Sequence, residues 1–256
     1  MTEPMASHDV VAFSLLAEAV SADVKVVQCG QGADEVFAGY AYHAPFGLAG
    51  ARATGDALSN VFADRPERAL RRLVRSGAVA DHDVSGELLA AHLSRPACDS
   101  GLDAVLRADT HLLMSEDPVK RVDCMTMAWG VEARVPFLDQ DLVALVAACP
   151  PELKACDDGK GVLKRIGRRL LPPHVVDRPK GSFPVPALTH LDGDVLALAR
   201  DALSPAHSRV RQVIRDAELD RMLAAPNAAH TRVGGNALWP LVVLELWLQE
   251  HVPALG

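Results

Sequence analysis

The chain has 256 residues, 49% of them hydrophobic and 23% charged, with 18 Gly and 17 Pro. These proportions exclude disorder, collagen and coiled coil, and the length suffices to bury a core without disulfide or metal staples. With 26 basic against 33 acidic residues, a formal net charge of −7, the surface offers no general electrostatic footprint for nucleic acid or an anionic membrane, so small molecules or proteins are the expected partners.

In chain order, apolar residues from Val10 to Val20 recur at helical spacing behind a candidate cap at Ser7, and Val24-Lys25-Val26-Val27-Gln28 reads as a short buried strand. The strand ends in Cys29-Gly30-Gln31-Gly32-Ala33-Asp34-Glu35, and Val36 to Tyr40 is expected to continue as a helix. That is the strand, glycine turn, helix order of a nucleotide-binding α/β unit. Residues 45–55 read as a glycine-rich loop. Beyond it the period is helical, with helices expected near 57–75, 83–94, 99–115, 118–129, 139–149, 160–171, 192–203 and 236–250. Asp117-Pro118 supplies a cap followed by proline at the first helical position, and Asp139 is placed to cap the next helix.

A strand as apolar as Val24 to Val27 belongs in a sheet covered on both faces, yet the rest of the chain supplies hardly another strand. Each exposed Val would forfeit roughly 1.5–3 kcal/mol of burial. Neighbouring strands are therefore expected from sequence outside this chain, which reads as the C-terminal part of something longer.

Five cysteines (Cys29, Cys98, Cys124, Cys149, Cys156) form no CxxC pair and leave one over, so a reducing cytoplasm is the expected compartment. Met1-Thr2-Glu3-Pro4 lacks the basic start and apolar stretch of a secretion signal. No membrane span is expected, because the most apolar run, Trp239 to Leu248, is broken by Pro240 and Glu245. Basic residues are 20 Arg to 6 Lys, which makes each lysine informative.

Four stretches bear on chemistry. In Gly30-Gln31-Gly32-Ala33-Asp34-Glu35, two glycines let the backbone approach a ligand, a helix N-terminus offers free N–H groups to an anion, and Asp34 can hold the magnesium that accompanies phosphates. The alternative is a plain glycine turn with Asp34 and Glu35 complementing the helix dipole. In Asp157-Asp158-Gly159-Lys160-Gly161, Lys160 falls in the first turn of a helix, where a cation opposes the dipole unless an anionic ligand intervenes; a solvated surface lysine is the alternative. Glu132 and Arg134 sit in a short non-helical link, for which buried structural pairing is the favoured reading. Arg178-Pro179-Lys180-Gly181-Ser182-Phe183 has too many breakers for a helix, and is either a rigid loop bringing Lys180 over a site or a plain connection. Ser100-Gly101-Leu102-Asp103 imitates a phosphate loop but reads as a helix start. No HExxH, no GxSxG elbow and no internal repeat is present. The arginine runs Arg68 to Arg75 and Arg165 to Arg169 read as solvated helix faces.

Taken in order, Gly32-Ala33-Asp34-Glu35 with Gly39-Tyr40, Met125-Thr126-Met127-Ala128 through Gly130-Val131-Glu132-Ala133-Arg134-Val135-Pro136-Phe137-Leu138-Asp139, Lys160-Gly161-Val162-Leu163-Lys164, and Arg178-Pro179-Lys180 with Phe183 resemble the synthetase domain of the asparagine synthetase family. The wording of the loop and of Gly235-Asn236-Ala237-Leu238-Trp239 is most similar to the N-acetylglutaminylglutamine amidotransferase branch. The resemblance implies an α/β fold: the C-terminal, mostly helical part of an ATP-pyrophosphatase (adenine nucleotide alpha hydrolase-like) domain. Residues 1–45 would end its nucleotide-binding part and residues 46–256 would form its helical part. The first strands and the Ser-Gly-Gly-x-Asp-Ser phosphate loop would lie outside this chain.

By the same resemblance the reaction is ATP-dependent adenylation of a small-molecule carboxylate, followed by attack of ammonia delivered from a glutaminase domain not present here. Asp34 would coordinate Mg2+ and pyrophosphate, Gly30 and Gly32 would shape the loop, Lys160 would stabilise charge on the phosphates, and Lys180 would face the nucleotide. At Gln31 the asparagine-forming members carry glutamate. A neutral amide cannot act as a base but can orient a substrate, which favours an acceptor other than aspartate. The competing expectation is a non-catalytic or partner-dependent binding module that keeps the fold.

Overall fold

The computed structural model describes residues 3–7, 9–47, 54, 58, 63–96, 98, 100–179, 181, 186–232 and 234–252. They fall into two compact units, one formed by Phe13–Val61 and Ser85–Ser182, the other by Met1–Ala12, Phe62–Val84 and Phe183–Gly256.

In the first unit the apolar run after the opening helix (Asp9–Ser21) becomes strand β1, Val26–Gln28. Its partner is β2, Glu132–Arg134, parallel to it with Val26 opposite Glu132 and Gln28 opposite Arg134. The pairing is extended by Glu132 N–H donating to Lys25 O and Cys29 N–H to Arg134 O, each 2.8 Å. Val24 and Val26 are 41% and 45% exposed and no third strand flanks the pair among the described residues, so the strand is not buried by this chain. Glu132 and Arg134 are exposed strand residues rather than a buried pair, because alternation in β2 turns them outward and leaves Ala133 inward.

The glycine turn leads into a helix of only four residues, Ala33–Val36, not one reaching Tyr40. Ala38 takes a left-handed conformation (φ 57°), which ends the helix, and the chain resumes as a 3-10 helix over Ala41–Phe46. The short helix is held from outside: Val36 and Phe37 bury against Val146, Leu142, Phe137 and Leu163.

Ser100 caps the helix Gly101–Ala108 by accepting from Asp103 N–H at 3.1 Å, as its reading as a helix start requires. The helix continues through a π turn, Asp109–Leu113, that rotates the following face. Pro118–Met127 starts with proline at its first turn, although Asp117 makes no capping bond there and pairs instead with Arg121 at 3.4 Å. Asp139 caps Gln140–Ala147 as expected, accepting from the N–H groups of Asp141 and Leu142.

The second unit is helical. Glu67–Leu73, Gly193–Ala202, Asp216–Ala224 and Trp239–His251 enclose a core of Leu191, Leu203, Val210, Leu219, Leu238 and Val242. No helix was expected at Asp216–Ala224, whose charged residues mask its apolar side, and the single helix expected over 57–75 contains Glu67–Leu73 but is not continuous. The four residues before Glu67, residues 63–66, are not helical; of residues 57–62 only residue 58 is described.

Candidate functional site

Two segments meet at the site through backbone as well as side chains. Lys160 N–H donates to Phe37 O at 2.8 Å, joining the 157–160 turn to the end of the Ala33–Val36 helix. Asp157, Asp158, Gly159 and Lys160 all have positive φ (56°, 57°, 85°, 57°), a full left-handed turn that costs L-residues roughly 1–2 kcal/mol each. Such strain persists only where its surroundings impose it, and it collects at functional sites. The imposing contact is visible: a Cβ on Gly159 would overlap the Ala38 carbonyl, so only glycine permits this approach.

That approach brings Lys160 Nζ to 2.8 Å from Asp34 Oδ2, with both side chains about a quarter exposed. Gly39 lies directly against the pair, since a side chain there would overlap Asp34 Oδ1 and Lys160 Cε. Around them opens a cleft of about 920 Å³ whose far wall carries Lys164, Arg168, Asp177 and Arg178. Arg168 bonds Asp157 at 2.8 Å and Asp177 at 2.9 Å, and its hydrogen bond holds the Asp157 carboxyl below the usual range.

The structure joins Asp34 and Lys160, 126 residues apart in sequence, in one ion pair. Gly30, Gln31 and Gly32 form the turn leading in and are not among the described residues lining the cleft. Gly32 has φ 92° and packs on Leu138. Lys180 lies outside the described residues, while its neighbours Pro179 and Gly181 line the cleft. Among the described residues no three His, Cys, Asp or Glu side chains are arranged to hold a metal ion. The single carboxylate of Asp34 suits magnesium, which commonly takes one or two protein carboxylates and completes its shell with phosphate oxygens and water.

Behind the cleft lies a polar cluster that motif reading missed. Glu35, 1% exposed, accepts from Tyr40 Oη at 2.6 Å, and burial pushes its carboxyl above the usual range. Tyr40 stacks on Tyr42, ring centroids 5.1 Å apart, and Tyr42 Oη donates to Asp109 Oδ2 at 2.9 Å. His43 Nε2 lies 2.7 Å from the same oxygen, and Tyr40 N–H donates to His43 Nδ1 at 3.2 Å. Asp109 is fully buried, and burial raises its carboxyl despite these bonds. One signal was present: Asp109 falls on the apolar face set by Leu102, Val105 and Leu106, where an acid must be paired.

Fold and site together define a mostly helical α/β protein with a polar cleft lined by charged side chains of both signs. The asparagine synthase family model matches residues 1–249, and the chain belongs to that family. It is 24% identical over 285 residues to asparagine synthetase [glutamine-hydrolyzing] 1 of Bacillus subtilis (strain 168), covering 96% of this chain and 43% of that protein. A quarter of the chain is 38% identical over 72 residues to an asparagine synthetase [glutamine-hydrolyzing] of Triphysaria versicolor (12% of the relative), and a quarter is 36% identical over 77 residues to the nodule asparagine synthetase [glutamine-hydrolyzing] of Pisum sativum (13% of the relative). The chain spans less than half the length of the curated relatives it matches. No helix among the described residues is long and apolar enough to cross a membrane.

Proposed function

We propose that this chain carries the phosphate-facing half of an ATP-dependent carbon–nitrogen ligase of the asparagine synthase type. In that reaction a substrate carboxylate oxygen attacks the α-phosphorus of ATP, pyrophosphate leaves, ammonia attacks the resulting acyl carbon, and AMP departs with the amide formed. The observation that carries the reading is the Asp34–Lys160 pair, held on strained backbone at the mouth of a cleft lined by both basic and acidic side chains.

Asp34 would hold Mg2+ with pyrophosphate, and Lys160, released from Asp34 as the metal binds, would neutralise charge growing on the phosphates. Gly30 and Gly32 would shape the turn, Gln31 would orient the acceptor by hydrogen bonds, and Lys180 would contribute to the nucleotide side. The neutral Gln31 favours an acceptor other than aspartate, in keeping with the N-acetylglutaminylglutamine branch. Ammonia would come from a glutaminase domain outside this chain, in a cytoplasmic setting.

The ATP-pyrophosphatase relationship completes the proposal. Residues 1–45 end the nucleotide-binding part and residues 46–256 form the helical part. The exposed Val24 and Val26 are then covered by strands of polypeptide beyond this chain, which also brings the phosphate loop. The purified 256-residue protein should therefore show no ATP–pyrophosphate exchange; robust exchange would overturn this incomplete-site reading. Reading the coding frame upstream of Met1 for a Ser-Gly-Gly-x-Asp-Ser loop is the companion test.

The second reading, a binding module without catalysis, is separated by melting. A ligand bound only to the native state must raise the midpoint, so a rise with magnesium ATP supports the nucleotide site and an unmoved midpoint supports the module.

A further inference from the structure

The Asp34–Lys160 pair stands on an unpromising support. A four-residue helix is far below the length that holds itself together in water, and it is followed by a left-handed Ala38 and a glycine at position 39. Something beyond local propensity must hold Gly39 against Asp34 Oδ1 and Lys160 Cε.

The buried cluster behind the cleft can do so, because it grips Tyr40, the residue next to Gly39, at two points. Its side chain donates to Glu35, the residue next to Asp34, at 2.6 Å, so the flanking residues of the turn are cross-linked. Its backbone N–H donates to His43 Nδ1 at 3.2 Å. An acceptor Nδ1 leaves the ring proton on Nε2, which faces Asp109 Oδ2 at 2.7 Å and donates to it. Asp109 comes from the π turn 66 residues away and also accepts from Tyr42 Oη at 2.9 Å, while Tyr42 stacks on the Tyr40 ring. The result is a closed ring of contacts from Tyr40 through His43, Asp109 and Tyr42 back to Tyr40, with Glu35 attached at Tyr40. One further bond, Gly39 N–H to Asp34 O at 2.8 Å, transmits the position of Tyr40 to the pair.

We infer that Tyr40 is a positioning residue for the Asp34–Lys160 pair, anchored through His43 to the buried Asp109. The functional meaning rests on the reading of the cleft as a phosphate site; the positioning itself does not.

The test is site-resolved lysine acetylation of the full chain, read by mass spectrometry, with Lys154 as a built-in sentinel. That lysine is buried and bonded to Asp103 at 2.7 Å, so it reacts only if this unit opens. In Asp34→Asn, Lys160 should react about two- to fivefold faster, the weight of an ion pair whose side chains are about a quarter exposed. In Tyr40→Phe, and in His43→Gln, which can still reach Asp109 but no longer receives the Tyr40 amide, Lys160 should accelerate by a similar factor while Lys25, Lys120 and Lys154 keep their rates. An unchanged Lys160 in both variants, or acceleration of Lys154 alongside it, overturns the inference, the latter because it marks a merely structural role. An unchanged Lys160 in Asp34→Asn overturns it too, by removing the pair. A separate arm adds magnesium pyrophosphate to the wild type: if Lys160 is not protected, the phosphate-site reading fails, whatever the first arm shows.

Discussion

Both units contain carboxylates with almost no exposed surface and treat them oppositely. In the helical unit Glu245 is fully buried in the Trp239–His251 helix, yet it receives Ser208 Oγ at 2.9 Å, Val210 N–H at 2.7 Å and Gln249 Nε2 at 2.8 Å. Burial pushes its carboxyl up, but these bonds outweigh burial and leave it below the usual range. In the other unit Glu35 and Asp109 have fewer donors, burial prevails, and both carboxyls are raised. Asp109 Oδ1 has no hydrogen-bond partner among the described residues. A fully satisfied acid acts as a structural clasp; an under-satisfied one beside the candidate site is held there by something other than stability.

Substitutions can break or sharpen this contrast. The largest effect is expected in the apolar core of the helical unit, where Leu203→Ala or Leu219→Ala should cost about 2–5 kcal/mol by urea denaturation, since both side chains are fully buried. Next comes the clasp: Glu245→Ala strands the Val210 N–H and should cost about 1–3 kcal/mol. Gly159→Ala should cost about 1–2 kcal/mol, because alanine at φ 85° is strained and its Cβ meets the Ala38 carbonyl.

The contrast itself is read by melting between about pH 3 and pH 8. Glu245 lies below its unfolded value, so its contribution is present above the unfolded carboxyl range and lost as pH falls through the folded value. Glu35 and Asp109 lie above theirs, so their contribution is full below the unfolded range and lost as pH rises through the folded value. Glu245→Gln should flatten the acid limb, and Asp109→Asn should flatten the decline on raising pH; profiles parallel to wild type in both would dissolve the contrast. The smallest effect belongs to the exposed Arg168→Ala, which should leave the melting midpoint within error while altering the cleft wall.

Much of this was legible in residues. Helices with an apolar stripe or an acid cap, such as Gln140–Ala147 behind Asp139, follow from local chemistry, and the Asp34 and Lys160 motifs were readable apart. The strand pairing was not, because Glu132-Ala133-Arg134 has no apolar alternation to mark it. The abrupt stop at Val36 was hidden too: it depends on the left-handed Ala38 and on a contact from Gly159, 121 positions later, that no local propensity encodes. The ring around Tyr40 was missed for the same reason, since His43 and Asp109 meet only in the folded chain.

The central claim is that Asp34 and Lys160 form a magnesium and phosphate site. Calorimetric titration of magnesium pyrophosphate into the full chain tests it most directly. Saturable binding weakened at least about tenfold by Asp34→Asn and by Lys160→Ala is the result expected for a charge-assisted phosphate contact. Equal affinity in wild type and both variants, or no binding to any of them, would contradict it.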